Sequence, residues 1–478
     1  MKDTKKIKKQ NFRSANREYT VVVYAFLVLF LLLIGYFIYY NVFQSDKVIN
    51  NSFNKRQDTL AAEIVKGDIL DRNGKVLATT KTAKDGTEYR NYPYGQVFAH
   101  VVGYTDKGKT GLESAENFTL LRSHSSIITQ ITNDINNVKS NGDNVVTTLD
   151  YTLQSVAYNA LGGYNGAVIV MEPKTGKILA MVSKPAFDPN NIAANWDAYT
   201  NEQSSKGILV NRATRGLYPP GSTFKILTLL EYIRENKDYE NFSYTCKGYE
   251  TADDFKLRCY DGTAHGKEDL TAAFANSCNS AFSKIGLSLD INKLRSTCER
   301  ALFNKSLPTD IACGSSSFVL EPSATKPEIM MTAIGQGETV VTPMHMAMIG
   351  AAIANDGVLM APYLVDHTVN DAGITVSATG PRKAATLFDK EDCDVLKKYM
   401  RAVVTQGTVY QFKGAKYEVA GKTGTAEYSS DKTKSHSWFV GFANVEDPEI
   451  LVTAIVEDAD GVAPAVARQI MDAYYAKK

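Results

Sequence analysis

Ser222 and Lys225 stand three residues apart in R-G-L-Y-P-P-G-S-T-F-K-I-L-T-L-L-E-Y-I-R-E-N-K, residues 215–237. Gly and Pro crowd the first half of this stretch, then Phe224, Leu227 and Leu230 recur at helical spacing, which predicts a turn feeding a helix. A serine at the mouth of a helix has two readings: an N-cap that satisfies a backbone N–H, or a nucleophile placed where the helix dipole favours negative charge. Lys225 falls on the same face, within reach of the Ser222 hydroxyl. In an apolar wall, near a positive helix terminus and a second cation, its ammonium form is disfavoured, and a neutral amine accepts the serine proton. Two further segments follow in the chain: Ser277-Cys278-Asn279 in F-A-N-S-C-N-S-A-F, and Lys422-Thr423-Gly424-Thr425 in V-A-G-K-T-G-T-A-E. Alone, the first is a polar turn and the second an edge strand with a glycine bulge. Together, S-x-x-K, S-x-N and K-T-G in this order point to acyl transfer through a serine.

With these motifs the chain resembles the penicillin-binding proteins, serine acyl transferases acting on the D-Ala-D-Ala end of peptidoglycan stem peptides. The likeness runs from about Gly67 to Ala467 and includes K-G-D-I-L-D-R-N-G-K-V-L-A (66–78), G-L-E (111–113), T-T-L-D-Y-T-L-Q (147–154), A-F-D-P-N (186–190), V-T-P-M-H-M-A (341–347) and S-W-F-V-G-F (437–442). It looks like class B, the monofunctional kind. Lys66 is a departure, since the family's opening motif usually has arginine. The resemblance implies that Ser222 attacks the penultimate D-Ala carbonyl, Lys225 takes its proton, Ser277 relays a proton to the departing D-Ala nitrogen, and Asn279 hydrogen-bonds the substrate amide and Lys225. Lys422 helps hold Ser277 and attracts the terminal carboxylate, to which Thr423 and Thr425 donate hydroxyls. The backbone N–H groups of Ser222 and Thr425 form the implied oxyanion hole. Gly424 is expected to be small so that the peptide can lie along the strand edge. β-Lactams are implied covalent inhibitors, no cofactor is implied, and a SEDS-type polytopic glycosyltransferase is the implied partner.

The elements that position these residues are legible in outline. From Gly163 the pattern changes: G-A-V-I-V-M-E-P-K-T-G-K-I-L-A-M-V-S reads as a hairpin, and three further strands fall near 418–426, 437–443 and 450–457, followed by a helical pattern at 462–475. The expected class is α/β (α+β): a five-stranded antiparallel sheet flanked by helices, interrupted by a mainly helical insertion between Lys184 and Tyr417, with the penicillin-binding/β-lactamase-like architecture that the resemblance implies. The expected boundaries are a basic cytoplasmic tail (1–18), a transmembrane anchor (19–40), a small α+β pedestal (41–155) and a transpeptidase domain (156–478). The anchor rests on Thr20 to Tyr40, 21 positions without a charge, which as a helix span about 30 Å, the thickness of a bilayer core. Residues 2–17 before it hold seven Lys and Arg residues against Asp3 alone, so the rest of the chain is expected outside the cell membrane.

A formal net charge of +1 over 478 residues gives no basic footprint for nucleic acid. Six cysteines lie in the extracytoplasmic part. Cys246 and Cys259 are the first pair to test for a disulfide, and Cys278 fills a core gap. Without a C-x-x-C spacing or a histidine pair, no metal is expected. Ser222 lacks a G-x-S-x-G elbow, and among the six histidines His265, nearest the S-C-N segment, is read as shaping a turn. The hydrolytic alternatives are a DD-carboxypeptidase or a membrane-tethered β-lactamase, for which no extra carboxylate motif is evident. The non-enzymatic alternative is a polymerase activator or β-lactam sensor, against which the intact nucleophile and both lysines argue.

Overall fold

The computed structural model describes residues 2–43, 61–201, 206–427 and 434–477. The chain divides into two units, residues 1–62 and 63–478. In the first, the helix Lys2–Phe43 contains an apolar stretch, Tyr19–Tyr40, long enough to cross a membrane, with its side chains exposed from Tyr19 to Tyr39. A continuous helix satisfies its own backbone groups, which a bilayer core demands.

The second unit is built around a five-stranded sheet: β1 (Gly166–Met171), β2 (Ile178–Lys184), β3 (Val419–Glu427), β4 (Ser435–Ala443) and β5 (Ile450–Val456), in spatial order β3-β4-β5-β1-β2 and antiparallel throughout. This matches the expectation of two early and three late strands. β1 and β2 join through a turn at 172–176 where Gly176 takes φ +81° and a Cβ would lie 2.4 Å from Ala361 O, so only glycine fits. β5 is buried at every position, because helices cover both faces. On one face lies the helix Pro343–Ala354, every residue of which is buried; its Gly350 is pressed so closely that a Cβ would come 2.7 Å from Leu451 Cδ1 and Val440 Cγ2. The helices Tyr151–Ala160 and Ala463–Tyr475 pack together over the sheet elsewhere.

Four strands of the segment read as a pedestal belong to a six-stranded sheet in the order Thr375–Ala378, Val365–Val369, Asn144–Thr147, Ile69–Leu70, Val76–Thr82, Glu88–Asn91. Its first two strands come from the stretch read as helical insertion, and Val365 pairs with Thr147, Thr368 with Val145. One apolar core runs from Ile69, Leu77 and Val145 into β1, β5 and the helices around them. The insertion between Lys184 and Tyr417 is mainly helical in its regular structure, as expected, but it also contributes strands to this sheet. It also holds two small hairpin sheets, Tyr249–Ala252 with Phe255–Arg258 and Ser243–Cys246 with Gly266–Asp269.

Lys66 joins a buried ion-pair cluster with Glu113 and Arg90. Its Nζ pairs with Glu113 Oε2 at 2.6 Å, while Arg90 Nε holds Glu113 Oε1 at 2.6 Å, so a fully buried carboxylate is balanced by two cations.

Candidate active site

Ser222 sits in a tight 3-10 turn, Gly221–Phe224, that runs directly into α1 (Lys225–Glu235). No side chain caps either start, so the hydroxyl of Ser222 is not spent as an N-cap. The turn is gripped from several sides: Gly221 N donates to Gly335 O (2.9 Å), Thr223 Oγ1 to Pro220 O (2.7 Å) and Trp438 Nε1 to Pro219 O (3.0 Å). Gly221 has φ +54°, and a Cβ there would stand 2.6 Å from Thr425 O. The nucleophile turn and the third motif thus touch backbone to backbone.

Lys225 and Lys422 have no exposed surface. Lys225 Nζ donates to Ser277 O (2.7 Å), Ser277 Oγ (3.3 Å) and Asn279 Oδ1 (2.7 Å). Lys422 Nζ donates to the same Ser277 Oγ (2.9 Å) and to Thr423 O (3.1 Å). Ser277 Oγ therefore lies between two buried amines, and Lys225 spends its hydrogens on the S-x-N motif rather than on Ser222. Burial pushes Lys225 down to about 8 from the ordinary lysine value. Lys422 is driven well below that value, first by burial and second by the charge of Lys225 beside it.

Ser277 reaches this position through a backbone that favours glycine. It takes φ +54° just after the helix Leu270–Ala275, where Ser277 N donates to Phe274 O (3.1 Å) and Cys278 N to Ala273 O (2.9 Å). A left-handed residue at a helix C-terminus is ordinary for glycine and strained for serine, and such strain concentrates at functional sites. Cys278 then caps α2 (Asn279–Gly286), its Sγ accepting from Ala281 N at 3.4 Å. This orders Asn279 at the first turn of α2, where Nδ2 also donates to Arg258 O (3.2 Å).

β3 is an edge strand of its sheet. Lys422, Gly424 and Ala426 are buried, while Thr423 and Thr425 are half-buried. Thr425 O faces Gly221 and Thr423 O accepts from Lys422, so both carbonyls lie away from β4. In an antiparallel strand the N–H and C=O of one residue leave on the same side, so the Thr425 N–H also faces the open edge beside the Ser222 turn. Gly424 has a further reason for its size. A Cβ there would meet Pro220 O at 3.0 Å and Thr223 N at 3.2 Å, so glycine lets the strand press against the nucleophile turn.

Sequence reasoning missed the neighbours that trim this edge. Thr425 Oγ1 donates to Asp460 Oδ1 (3.3 Å), which is shared with Tyr260 through Oδ2 (2.6 Å), and Thr423 Oγ1 meets Thr408 Oγ1 at 2.9 Å. The Gln336 carboxamide, with its nitrogen toward Glu427 O (3.0 Å) and its oxygen toward Glu427 N (3.1 Å), takes the place of a strand partner and ends the free edge. No local pattern marks these residues, since each is brought in from a loop or, for Tyr260, a short 3-10 turn. Among the described residues no histidine hydrogen-bonds to Ser222, Lys225, Ser277 or Lys422. His265 instead lies with Cys246, Cys259 and Cys278 in one cluster, their ligating atoms all within 4.8 Å of one another. The expectation of no metal rested on linear spacing, which does not report this convergence. Cys246 and Cys259, the pair singled out for a disulfide, are free thiols with sulfurs 3.6 Å apart.

The penicillin binding protein transpeptidase domain family matches residues 166–472, and the penicillin binding protein A dimerisation domain family matches residues 66–145. The peptidoglycan D,D-transpeptidase PbpA of Mycolicibacterium smegmatis is 32% identical over 463 residues, covering 91% of this chain and 93% of that protein. Among solved structures, the D,D-transpeptidase domain of a peptidoglycan glycosyltransferase from Eggerthella lenta aligns with a TM-score of 0.77 at 32% identity, over 87% of this chain and 99% of the other. The imipenem acyl-enzyme of penicillin-binding protein A from M. tuberculosis aligns with a TM-score of 0.78 at 28% identity, over 88% and 100%. With the three motifs gathered at one sheet edge and a family match over most of its length, the chain belongs to the penicillin-binding protein transpeptidases, class B.

Proposed function

We propose that this protein is a peptidoglycan DD-transpeptidase that crosslinks stem peptides through an acyl-enzyme on Ser222 and is acylated by β-lactams at the same oxygen. The observation that carries the reading is the placement of Ser277 Oγ between Lys225 Nζ and Lys422 Nζ, beside an uncapped serine turn in backbone contact with an edge strand. Ser222 Oγ attacks the penultimate D-Ala carbonyl as its proton passes to the neutral amine of Lys225, whose depressed pKa keeps that form accessible near neutral pH. The tetrahedral oxyanion is held by the N–H groups of Ser222 and Thr425. Collapse breaks the peptide C–N bond, and Ser277, hydrogen-bonded to both amines, hands a proton to the departing D-Ala nitrogen while Lys225 resupplies it. Asn279 holds the substrate amide. Lys422 with Thr423 and Thr425 receives the terminal carboxylate, and the peptide backbone adds to the open edge of β3 that Gly424 keeps seated against the Ser222 turn. Attack by an acceptor amine on the acyl carbonyl restores Ser222 and forms the crosslink.

The polar run before Tyr19–Tyr40 supports a cytoplasmic N-terminus, an anchor at 19–40, and an extracytoplasmic pedestal (41–155) and transpeptidase domain (156–478). A SEDS-type glycosyltransferase contacting the anchor and pedestal would supply the glycan. Incubation with a stem pentapeptide and an acceptor, followed by mass spectrometry of products, tests the assignment. Crosslinked dimer is expected. Released D-Ala without dimer would instead support the carboxypeptidase reading, and neither product a sensor or activator.

A further inference from the structure

We propose that Asp460 guards the anion cradle of the K-T-G-T strand: it holds the Thr425 hydroxyl that the donor's terminal carboxylate needs, and has to give it up before the donor binds. This role rests on the reading of Ser222 as the acylated residue, with Lys422, Thr423 and Thr425 receiving that carboxylate. Thr425 Oγ1 donates to Asp460 Oδ1 at 3.3 Å, and Tyr260 OH donates to Asp460 Oδ2 at 2.6 Å. A carboxylate has only lone pairs to offer, so the one hydrogen between Thr425 and Asp460 is the threonine's. With that hydrogen spent, Thr425 Oγ1 shows the cradle lone pairs alone, and a second carboxylate finds no donor there. Thr423 is in the opposite position. Its Oγ1 meets Thr408 Oγ1 at 2.9 Å, and a hydroxyl partner both gives and takes, so Thr423 keeps the freedom to turn its hydrogen toward a ligand. The two hydroxyls of one motif are thus set differently, one ready for an anion and one withheld from it.

The withholding group spans the mouth of the site. Asp460 lies on the loop between β5 and the helix Ala463–Tyr475. Tyr260 lies two residues after Arg258, whose carbonyl accepts from Asn279 Nδ2 at 3.2 Å. The Tyr260–Asp460 bond therefore joins the S-x-N side to the K-T-G-T side, across 200 positions of chain. Tyr260 is pushed up to about 12, first by this hydrogen bond, then by burial and by the charges of Asp460, Asp261 and Glu427, so its phenol remains a donor and keeps Asp460 turned toward Thr425. Tyr260 and Asp460 are both exposed, so water takes over the bonds that a ligand displaces and the release costs little. A donor carboxylate that reaches Thr425 is drawn by Lys422 and opposed by Asp460, and like charges at this range are unfavourable. The same competition loosens the hold on the D-Ala that leaves after acylation, because that product carries the same carboxylate.

The full chain, purified in detergent, is to be acylated with benzylpenicillin and separately with its methyl ester, which has the same strained amide and no carboxylate. Intact-protein mass spectrometry at several ligand concentrations follows the adduct with time. Asp460→Ala should speed acylation by the acid about two- to tenfold, the worth of one hydrogen bond, and leave the ester unchanged. The gain should lie in the concentration that half-saturates the rate and not in the limiting rate, because binding is what the guard opposes. Added salt should narrow the gap between wild type and variant, since part of it is repulsion at an exposed charge. Asp460→Asn, which keeps the shape without the charge, should move the acid-to-ester ratio the same way, and Asp460→Glu should return it toward wild type. Acid and ester speeded or slowed alike would make Asp460 a prop of the strand and overturn the guard, as would a ratio unchanged in both Asp460→Ala and Asp460→Asn. Wild-type protein that forms no adduct on Ser222 with either ligand would overturn the acyl-enzyme reading itself, and the guard with it.

Discussion

At the scale of single residues, the proposed chemistry turns on two buried lysines that share one hydroxyl. Lys225 has to lose a proton before it can accept one from Ser222, and burial brings its pKa to about 8. The sign follows from the reactive form. Below that value most of the protein carries the ammonium, so the acylation rate should climb about tenfold per pH unit and level off above it. A stopped-flow pH profile with a chromogenic β-lactam measures this, and a rate that falls as pH rises from 6 to 8 would contradict the base role. Lys225→Ala should cost about 10²–10⁴-fold in acylation. Lys422→Ala should cost less, because its charge orients Ser277 and the carboxylate without carrying the first proton. The motif residues were readable from sequence because their types and order are set by this chemistry. What spacing did not reveal was direction: Lys225 reaches Ser277 and Asn279, more than 50 positions away in the chain, instead of the serine one turn before it.

At the scale of elements, the nucleophile turn and β3 are fitted together by glycine. A methyl group at residue 424 has to fit against Pro220 O at 3.0 Å, and overpacking of this kind costs about 1–3 kcal/mol. Gly424→Ala should therefore lower the denaturation midpoint and slow acylation together, since relief comes only by moving β3 away from Ser222. Unchanged stability with reduced acylation would return Gly424 to a role in seating the peptide alone. Strands β1, β2, β4 and β5 were legible because their apolar runs are bounded by clear turns and buried on both faces. The hairpins at 243–269 were hidden, being four-residue strands with few apolar positions, as in Ser243–Cys246 and Phe255–Arg258. The convergence of Cys246, Cys259, Cys278 and His265 depends on how those hairpins fold, and no linear spacing reports it.

At the scale of the whole molecule, the pedestal and the catalytic part share a sheet. Val365–Val369 pairs with Asn144–Thr147, and Lys477 Nζ reaches Asp150 at 2.8 Å, so contacts cross position 155 at both places. A chain beginning at residue 156 would leave the edge of Val365–Val369 unpaired and should aggregate or melt well below a chain beginning at residue 63. Equal melting temperatures for the two would show that the transpeptidase domain stands alone. This coupling was invisible in the sequence because its two strands lie more than 200 residues apart. The central claim remains that Ser222 is the acylated residue, and the most direct test is to digest the penicillin-treated protein and map the adduct by tandem mass spectrometry. The account predicts one penicilloyl group on the peptide carrying Ser222 and none on Ser222→Ala of native circular dichroism. An adduct on another residue, or one that persists in the alanine variant, would contradict it.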